Sequence, residues 1–296
     1  MTIRTRLACG LAALLAAAAC KGPEAPTPVP EAERTSGSPA AIVEYIANEG
    51  ILVMQGETKL MFDPVFTHSY AQYRMPSLAQ RQAMFAGTPP FDGVDVVFVS
   101  HIHADHFTAS DMNDYLAAQP GARLVAPAQV VEELVAAANW SDASLARITS
   151  LTEGMGDPAR QFTLDGGIGV TAVSLPHSGW PDDWVAGITN MVYRVSTGAG
   201  ASVIHMGDAS GEAGLYTPYD AVWQAERTDT AFPPFWLLAE EAGRSLVLDT
   251  LNADRAIGIH VPVAVPDALI AASHEHGFDY LSEPGEQRTI SAGGAD

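Results

Sequence analysis

The chain has 296 residues and a formal net charge of −20 at pH 7, from 15 basic and 35 acidic side chains. Proteins that bind nucleic acid present a basic surface, so this charge argues against a nucleic-acid partner and against a nuclease that acts on long polymers. Hydrophobic residues make up 47% of the chain, which is enough for the core of one large α/β domain or two small ones.

The N-terminus has the features of an export signal. Arg4 and Arg6 precede an apolar run over residues 7–19, which is too short for a comfortable membrane span, and small residues then lead to Cys20. This pattern resembles a bacterial lipoprotein signal with Cys20 as the lipidated residue; ordinary cleavage after an Ala-x-Ala sequence is the alternative. Lipidation predicts an exported protein that is anchored in the bacterial envelope through Cys20 and faces the periplasm.

The sequence divides into four predicted parts. Residues 1–20 form the signal peptide, and residues 21–40, rich in Pro, Glu, Ala and Thr, form a disordered tether. Residues 41–283 form the folded domain. Residues 284–296 form a flexible tail.

A hairpin is predicted near the start of the domain. Its strands, at residues 51–54 and 59–62, flank a tight turn in which Gly56 can adopt a positive φ. Asp63 follows the hairpin. It is either a turn residue that ends the strand or a carboxylate that supports a neighbouring site by hydrogen-bonding a histidine.

A long segment without clear periodicity, residues 65–93, follows the hairpin and is predicted to be a functional loop that contains a short helix at residues 75–85. We interpret its residues His68, Tyr73 and Arg81 as ordinary surface residues, with contact to a substrate as the alternative.

The chain is organised around the stretch that follows. Residues 94–99 are almost continuous in Val and Phe, which predicts a strand buried on both faces. The strand stops at a polar cluster in which His101 and His103, two residues apart, can point the same way, while Asp105 and His106 can face a second ion. Imidazoles bind metals such as zinc, and a carboxylate adds a harder ligand. The alternative is a polar loop in which the histidines have no function. Because folding does not require three imidazoles and a carboxylate so close together, the pattern favours a metal site.

Alternating helices and strands follow the polar cluster. A helix at residues 111–118, capped by Ser110, precedes a strand at 123–126 and a helix that begins at Pro127 and ends at residue 138. This alternation indicates an α/β layer architecture.

Three later apolar segments also end in metal-ligand residue types. They lead to His177, to Asp208 and to His260 in turn. His205 lies within the second of these segments and is predicted to be packed. A loop with Trp180 and Trp184 directly follows the first and is predicted to line a cleft.

The stretch His101-x-His103-x-Asp105-His106 resembles the HxHxDH motif of the metallo-β-lactamase-fold hydrolases, and the three later residues follow in that family's order. The resemblance implies an α/β fold, a four-layer αββα sandwich in which two mixed β-sheets are flanked by helices. It also implies two metal sites with one shared ligand: His101, His103 and His177 on the first ion, Asp105, His106 and His260 on the second, and Asp208 bridging them.

The activity implied by this resemblance is a dinuclear metal-dependent hydrolase. A metal-bridging hydroxide, oriented by Asp105, attacks an ester, lactone or phosphodiester of a small-molecule substrate, and Asp105 and Asp208 are the catalytic carboxylates. The cofactors are two divalent ions, Zn²⁺ or alternatively Mn²⁺ or Fe²⁺. True β-lactamases of this fold generally lack an aspartate at the bridging position, so the chain resembles the lactonase and phospholipase D-like branch instead. A catalytically silent metal-binding lipoprotein is the alternative.

Overall fold

A computed structural model describes residues 39–290. The predicted signal peptide, the predicted tether apart from its last two residues, and residues 291–296 of the predicted tail lie outside this range. The strands are β1 Ala41–Ala47, β2 Gly50–Gln55, β3 Thr58–Phe62, β4 Val96–Phe98, β5 Arg123–Pro127, β6 Ile148–Leu151, β7 Arg160–Leu164, β8 Ile168–Leu175, β9 Asn190–Ser196, β10 Ser202–His205, β11 Thr230–Phe232, β12 Ile257–Gly258, β13 Asp279–Tyr280 and β14 Gln287–Ile290. The helices are α1 Leu78–Ala86, α2 Ala109–Ala118, α3 Ala128–Ala136, α4 Asp220–Gln224, α5 Phe235–Ala239, α6 Glu241–Ser245 and α7 Asp267–His276.

The larger sheet has seven strands in the order β14-β1-β2-β3-β4-β5-β6. Strands β1, β2 and β3 pair antiparallel, and the predicted turn between β2 and β3 joins Gln55 to Thr58 with Gly56 at φ 60°. Strands β3 to β6 pair parallel to one another. All three residues of β4 are buried, as the continuous apolar run predicts for a strand covered on both faces.

The smaller sheet has five strands in the order β11-β10-β9-β8-β7. Only its β10–β11 pair is parallel. One apolar cluster joins the two sheets, with Phe62 and Phe98 of the larger sheet and Tyr193 of the smaller one. A second cluster lies between the larger sheet and helices α1 to α3, and a third packs helices α4 and α5 on the smaller sheet. Three cores between four layers confirm the predicted αββα sandwich.

The C-terminal boundary predicted at residue 283 is wrong, because the residues that follow it form β14. Strand β14 pairs antiparallel with β1, and its last residue, Ile290, is fully buried. Without β14, the edge of β1 would present unpaired backbone groups to solvent. The folded domain therefore extends at least to Ile290.

Two local predictions are also corrected. Helix α2 begins at Ala109, two residues earlier than predicted, because its N-cap is Thr108 and Ser110 lies within the first turn. Strand β12 ends at Gly258, two residues before His260, whose φ of 60° is left-handed and cannot continue a pleated strand.

Among residues 39–290, no helix is long and apolar enough to cross a membrane.

Candidate metal centre

The histidines and aspartates that follow separate strands meet at one edge of the two sheets. His101, His103, His177 and Asp208 each offer one ligand atom, and these atoms all lie within 4.8 Å of one another. His101 Nε2 and His103 Nδ1 face each other at 3.0 Å. The structure therefore brings together the residues that sequence analysis gives to the first ion, although 107 positions separate the first of them from the last.

A second group adjoins the first. Asp105, His106 and His260 also offer ligand atoms within 4.8 Å of one another. Asp208 lies between the groups: its Oδ2 is 3.1 Å from His177 Nε2, and its Oδ1 is 3.4 Å from His260 Nε2 and 3.6 Å from His106 Nε2. One carboxylate oxygen thus faces each group, which is the arrangement that a bridging ligand requires.

Asp63 orients one histidine of each ligand group through hydrogen bonds, His106 directly and His101 through Ser100. It accepts hydrogen bonds from the backbone N of Ser100 at 2.7 Å and from His106 Nδ1 at 2.9 Å. It also accepts from Ser100 Oγ, which in turn accepts from His101 Nδ1 at 2.9 Å. Because both Nδ1 atoms donate, the neutral rings of His101 and His106 present their Nε2 lone pairs to the cluster. Asp63 ends β3 at φ 41°, so it is both the turn residue and the supporting carboxylate.

Asp208 and His177 are held by local backbone bonds. His177 Nδ1 donates to Ser178 O at 2.6 Å, and Ser178 N donates to Asp208 O at 2.6 Å. Asp208 N donates to Asn190 Oδ1 at 3.1 Å. Gly207 adopts a φ of 52°, and a Cβ there would lie 2.4 Å from the same Asn190 oxygen. A glycine before Asp208 lets the chain turn sharply into the cluster.

The electrostatics of the ion-free protein show how strongly these residues interact. Burial lowers the pKa of His101 well below its usual value, and the neighbouring His106 lowers it further. Burial opposes the charged form of His106 too, but the carboxylates of Asp208 and Asp63 outweigh it and raise the pKa of His106 well above normal. In the same way, His260 and His106 overcome burial and hold the pKa of Asp208 well below normal.

The chemistry of the donor set fits two divalent cations. Imidazole nitrogens and carboxylate oxygens bind zinc, iron and manganese. His106 Nε2 and Asp208 Oδ1 are buried and have no hydrogen-bond partner among residues 39–290, and a buried polar atom without a partner is costly. A bound cation would satisfy both atoms.

Sequence analysis missed two residues behind the cluster, Asn48 and Glu49 in the β1–β2 turn. Asn48 Nδ2 donates to Asp105 O at 3.0 Å and to Asp105 Oδ2 at 3.3 Å. Glu49 is fully buried, its Oε2 lies 4.0 Å from His106 Nδ1, and burial followed by the charge of Asp208 raises its pKa well above normal. A polar pair in a short turn is typical of a solvent-exposed position, so local sequence contains no signal for the burial of either residue.

The predicted packing of His205 is observed. Its ring is buried and stacks on Phe62 with centroids 5.1 Å apart, and its Nε2 donates to Glu49 O at 2.9 Å.

Aromatic rings cover the ligand histidines. Tyr73 meets His260 edge-on at 4.1 Å and Trp236 meets it at 5.2 Å, while Trp184 lies parallel to His103 at 6.4 Å. Burial, followed by the charge of Asp208, raises the pKa of Tyr73 to about 12. Tyr73 therefore lies at the site and is not an ordinary surface residue.

The other two candidates from the loop have different surroundings. Arg81 is paired with Asp111 at 3.0 Å and lies over the ring of Phe85, while His68 is exposed and contacts Thr67.

The chain is similar in sequence to one protein family and in structure to several solved proteins. The sequence model of a family described as "Beta-lactamase superfamily domain" matches residues 58–261. A possible metal-dependent hydrolase from Veillonella parvula is 13% identical, with a TM-score of 0.59 over 86% of this chain and 100% of its own. The isothiocyanate hydrolase from gut bacteria of Delia radicum is 15% identical, with a TM-score of 0.57 over 85% of this chain and 100% of its own.

A third similar structure has a different activity. It is CmlA, a diiron beta-hydroxylase from Streptomyces venezuelae, which is 14% identical, with a TM-score of 0.51 over 85% of this chain and 54% of its own. No curated protein matches the sequence. At these identities the structural neighbours show a shared fold, and the reaction has to be argued from the site.

Proposed function

The chain belongs to the beta-lactamase superfamily domain family, and from that premise we propose that it is a dinuclear metal-dependent hydrolase of a small, uncharged ester or lactone. The observation that carries the proposal is the position of Asp208, which presents one oxygen to His177 and the other to His106 and His260. A carboxylate shared in this way offsets the repulsion between two adjacent cations.

Each group of ligands would hold one ion. When bound, two divalent cations supply Lewis acidity and an activated water at neutral pH. We propose Zn²⁺ because five of the seven candidate ligands are imidazoles, and Mn²⁺ or Fe²⁺ also suits such a set. The ligands would be His101, His103 and His177 for the first ion, Asp105, His106 and His260 for the second, with Asp208 shared.

The chain's own residues orient the reactants. Asp105 is buried, and Asn48 Nδ2 donates both to its backbone O and to its Oδ2, which helps to orient the carboxylate to accept a proton from the attacking water. The rings of Tyr73 and Trp184 lie beside His260 and His103 and cover parts of the cluster.

The charge distribution favours an uncharged substrate over a phosphodiester. Every lysine and arginine among residues 39–290 has an ion pair or a hydrogen bond with another residue. Arg74 and Arg81, the cations of the loop beside the cluster, are paired with Glu283 and Asp111. Both cations of this loop are therefore neutralised by carboxylates, so an ester or lactone carbonyl fits this side of the cluster better than a phosphate.

The N-terminal sequence adds a location to this proposal. We propose that Cys20 is lipidated, that the enzyme is anchored in the bacterial envelope, and that it meets its small-molecule substrate in the periplasm. The basic start, the apolar run and the small residues before Cys20 support this location.

A hydrolysis screen with the full-length protein tests the function. The protein is loaded with Zn²⁺ or Mn²⁺ and given panels of esters, lactones and phosphodiesters, with metal content measured in parallel. We expect ester or lactone cleavage, with a loss of at least about a hundredfold in Asp208→Asn. Asp165→Asn is the matched control, because Asp165 is exposed and only paired with Arg123.

Three results would contradict the proposal. Full activity in Asp208→Asn would refute the two-metal assignment, and selective diester cleavage would refute the uncharged substrate. A folded protein that binds metal and cleaves nothing on the panels would replace the enzyme with a metal-binding scaffold or sensor.

A further inference from the structure

A cavity of about 380 Å³ lies beside the candidate metal centre. Its volume falls within the range of small-molecule sites. Its wall is built mainly by helices α5, α6 and α7 and is mostly apolar, with Trp236, Leu237, Ala242, Ala268 and Leu269 among its residues. The cavity is therefore suited to an apolar group.

Two lining residues connect the cavity to the ligands. Ser178 directly follows His177, and its backbone N donates to Asp208 O at 2.6 Å. On the other side, the ring of Trp236 meets the His260 ring at 5.2 Å. The cavity therefore adjoins the metal centre at Ser178 and at Trp236.

Another cavity differs from this one in its chemistry and in its position in the fold. It is larger, about 630 Å³, and charged residues such as Glu241, Arg244 and Asp249 contribute to its lining. None of its lining residues is a candidate metal ligand or directly follows one in the sequence. Proximity to the ligands thus distinguishes the smaller cavity.

The polar groups of the smaller cavity limit what can occupy it. Glu240 is the only ionisable residue in its lining, so a negatively charged occupant is disfavoured. The remaining lining residues are mostly apolar, so the cavity favours an uncharged, apolar occupant.

From these observations, and on the basis of the proposed function, we propose that the cavity is an acyl-chain site and that the substrates are esters or lactones with an extended alkyl chain. The alkyl chain occupies the space between Trp236, Ala242 and Ala268. Water adds to the acyl carbon and gives one proton to Asp105, the bond to the alkoxy oxygen breaks, and that oxygen takes the second proton as a hydroxyl, which leaves as an alcohol from an ester and stays on the same molecule in a lactone. The fatty carboxylate is then left in the site.

A chain-length series tests the assignment. The full-length, zinc-loaded protein is assayed with p-nitrophenyl esters from acetate to decanoate. Each methylene that enters the cavity should raise kcat/KM about three- to fourfold until the cavity is full. Ala242→Phe and Ala268→Phe, which place a large ring at two sides of the cavity, should lower the decanoate-to-acetate ratio of kcat/KM at least about tenfold.

The control variant makes the same Ala-to-Phe substitution at a position outside the cavity. Ala117 is exposed in α2 and does not line either cavity, so Ala117→Phe should keep the wild-type ratio. Binding of decanoate and acetate, measured by calorimetry, gives a second readout that does not need turnover. Decanoate should bind more tightly than acetate to the wild-type protein, and this preference should fall in Ala268→Phe.

The outcomes separate this inference from the proposed function. Ester cleavage with no dependence on chain length would overturn the acyl-chain site and leave the hydrolase intact. Decanoate binding that Ala268→Phe weakens, without cleavage of any ester or lactone, would support the acyl-chain site and refute the hydrolase. Absence of both cleavage and decanoate binding would overturn both.

Discussion

Asp63→Asn is the most informative substitution outside the ligand set. The amide has nearly the same size as the carboxylate, but one acceptor oxygen becomes an NH₂ donor. One amide oxygen can still accept from Ser100 N, now at 2.7 Å. The NH₂ group would then face His106 Nδ1, which now donates across 2.9 Å.

This exchange acts on the metal centre through the His106 ring. To avoid two opposed donors, His106 has to accept at Nδ1 and carry its proton on Nε2, the atom 3.6 Å from Asp208 Oδ1. A protonated Nε2 has no lone pair for a cation. Losing a supporting partner of this kind lowers metal affinity about 10- to 100-fold, or about 1.4 to 2.7 kcal/mol.

The ion-free protein should be less stable as well. Asp63 is fully buried, and a hydrogen bond to a charged partner contributes about 1.5–3 kcal/mol. Urea unfolding of the ion-free protein measures this loss, and zinc competition against a chelator measures the affinity. We expect the second ligand group to lose its ion first.

The control for Asp63→Asn is again Asp165→Asn. Its side chain is 86% exposed and pairs with Arg123 on the surface, so the free energy of unfolding should change by less than about 0.5 kcal/mol. If Asp63→Asn binds two zinc ions with wild-type affinity, Asp63 is only a turn residue and the argument from the tautomer of His106 is wrong.

Three further predictions concern the packing and the titration of the centre. Gly207→Ala should weaken zinc binding, measured by chelator competition. The new Cβ would lie 2.6 Å from Ser100 Cβ and 2.4 Å from Asn190 Oδ1, the atom that accepts from Asp208 N. Wild-type zinc affinity would contradict this prediction. Phe62→Ala should lower the free energy of unfolding in urea by about 3–5 kcal/mol, because Phe62 is fully buried and stacks on Phe98 at 4.8 Å. A loss below about 1 kcal/mol would mean that the core between the sheets repacks. Zinc affinity of the second group should rise with pH, because the raised pKa of His106 means that the ion-free protein holds a proton that zinc must displace. The rise should be about tenfold per pH unit for one proton and should stop above that pKa, whereas a flat profile from about pH 6 to 8 would show that no proton is released.

Local sequence was sufficient for the features that depend on neighbours in the chain. The run over residues 94–99 predicts a buried strand because its side chains are apolar on both faces, and the structure buries all of β4. Gly56 marks the hairpin turn because few other residues tolerate its φ of 60°. The four-layer architecture followed from the resemblance carried by the histidine motif and is confirmed by the two sheets and their flanking helices.

The C-terminal strand β14 and the end of β12 could not be predicted from the residues next to them in the sequence. Residues 287–290 contain two charged or amide side chains and one isoleucine, so nothing local distinguishes them from a flexible tail. They become a strand because β1 offers a free edge more than 240 positions away in the sequence. His260 likewise leaves the strand because its backbone N donates to Asn48 O at 2.8 Å across the fold.

The sequence by itself determined which side chains can bind metal, since residue type and spacing around His101 to His106 fix that chemistry. Only the tertiary structure decided how those side chains are oriented, because Asp63, Asn48 and Glu49 act across strands that are distant in sequence. The same holds for the cavity beside Trp236, whose wall is assembled from separate helices. Residue chemistry is local, whereas distances between side chains exist only after the sheets have packed together.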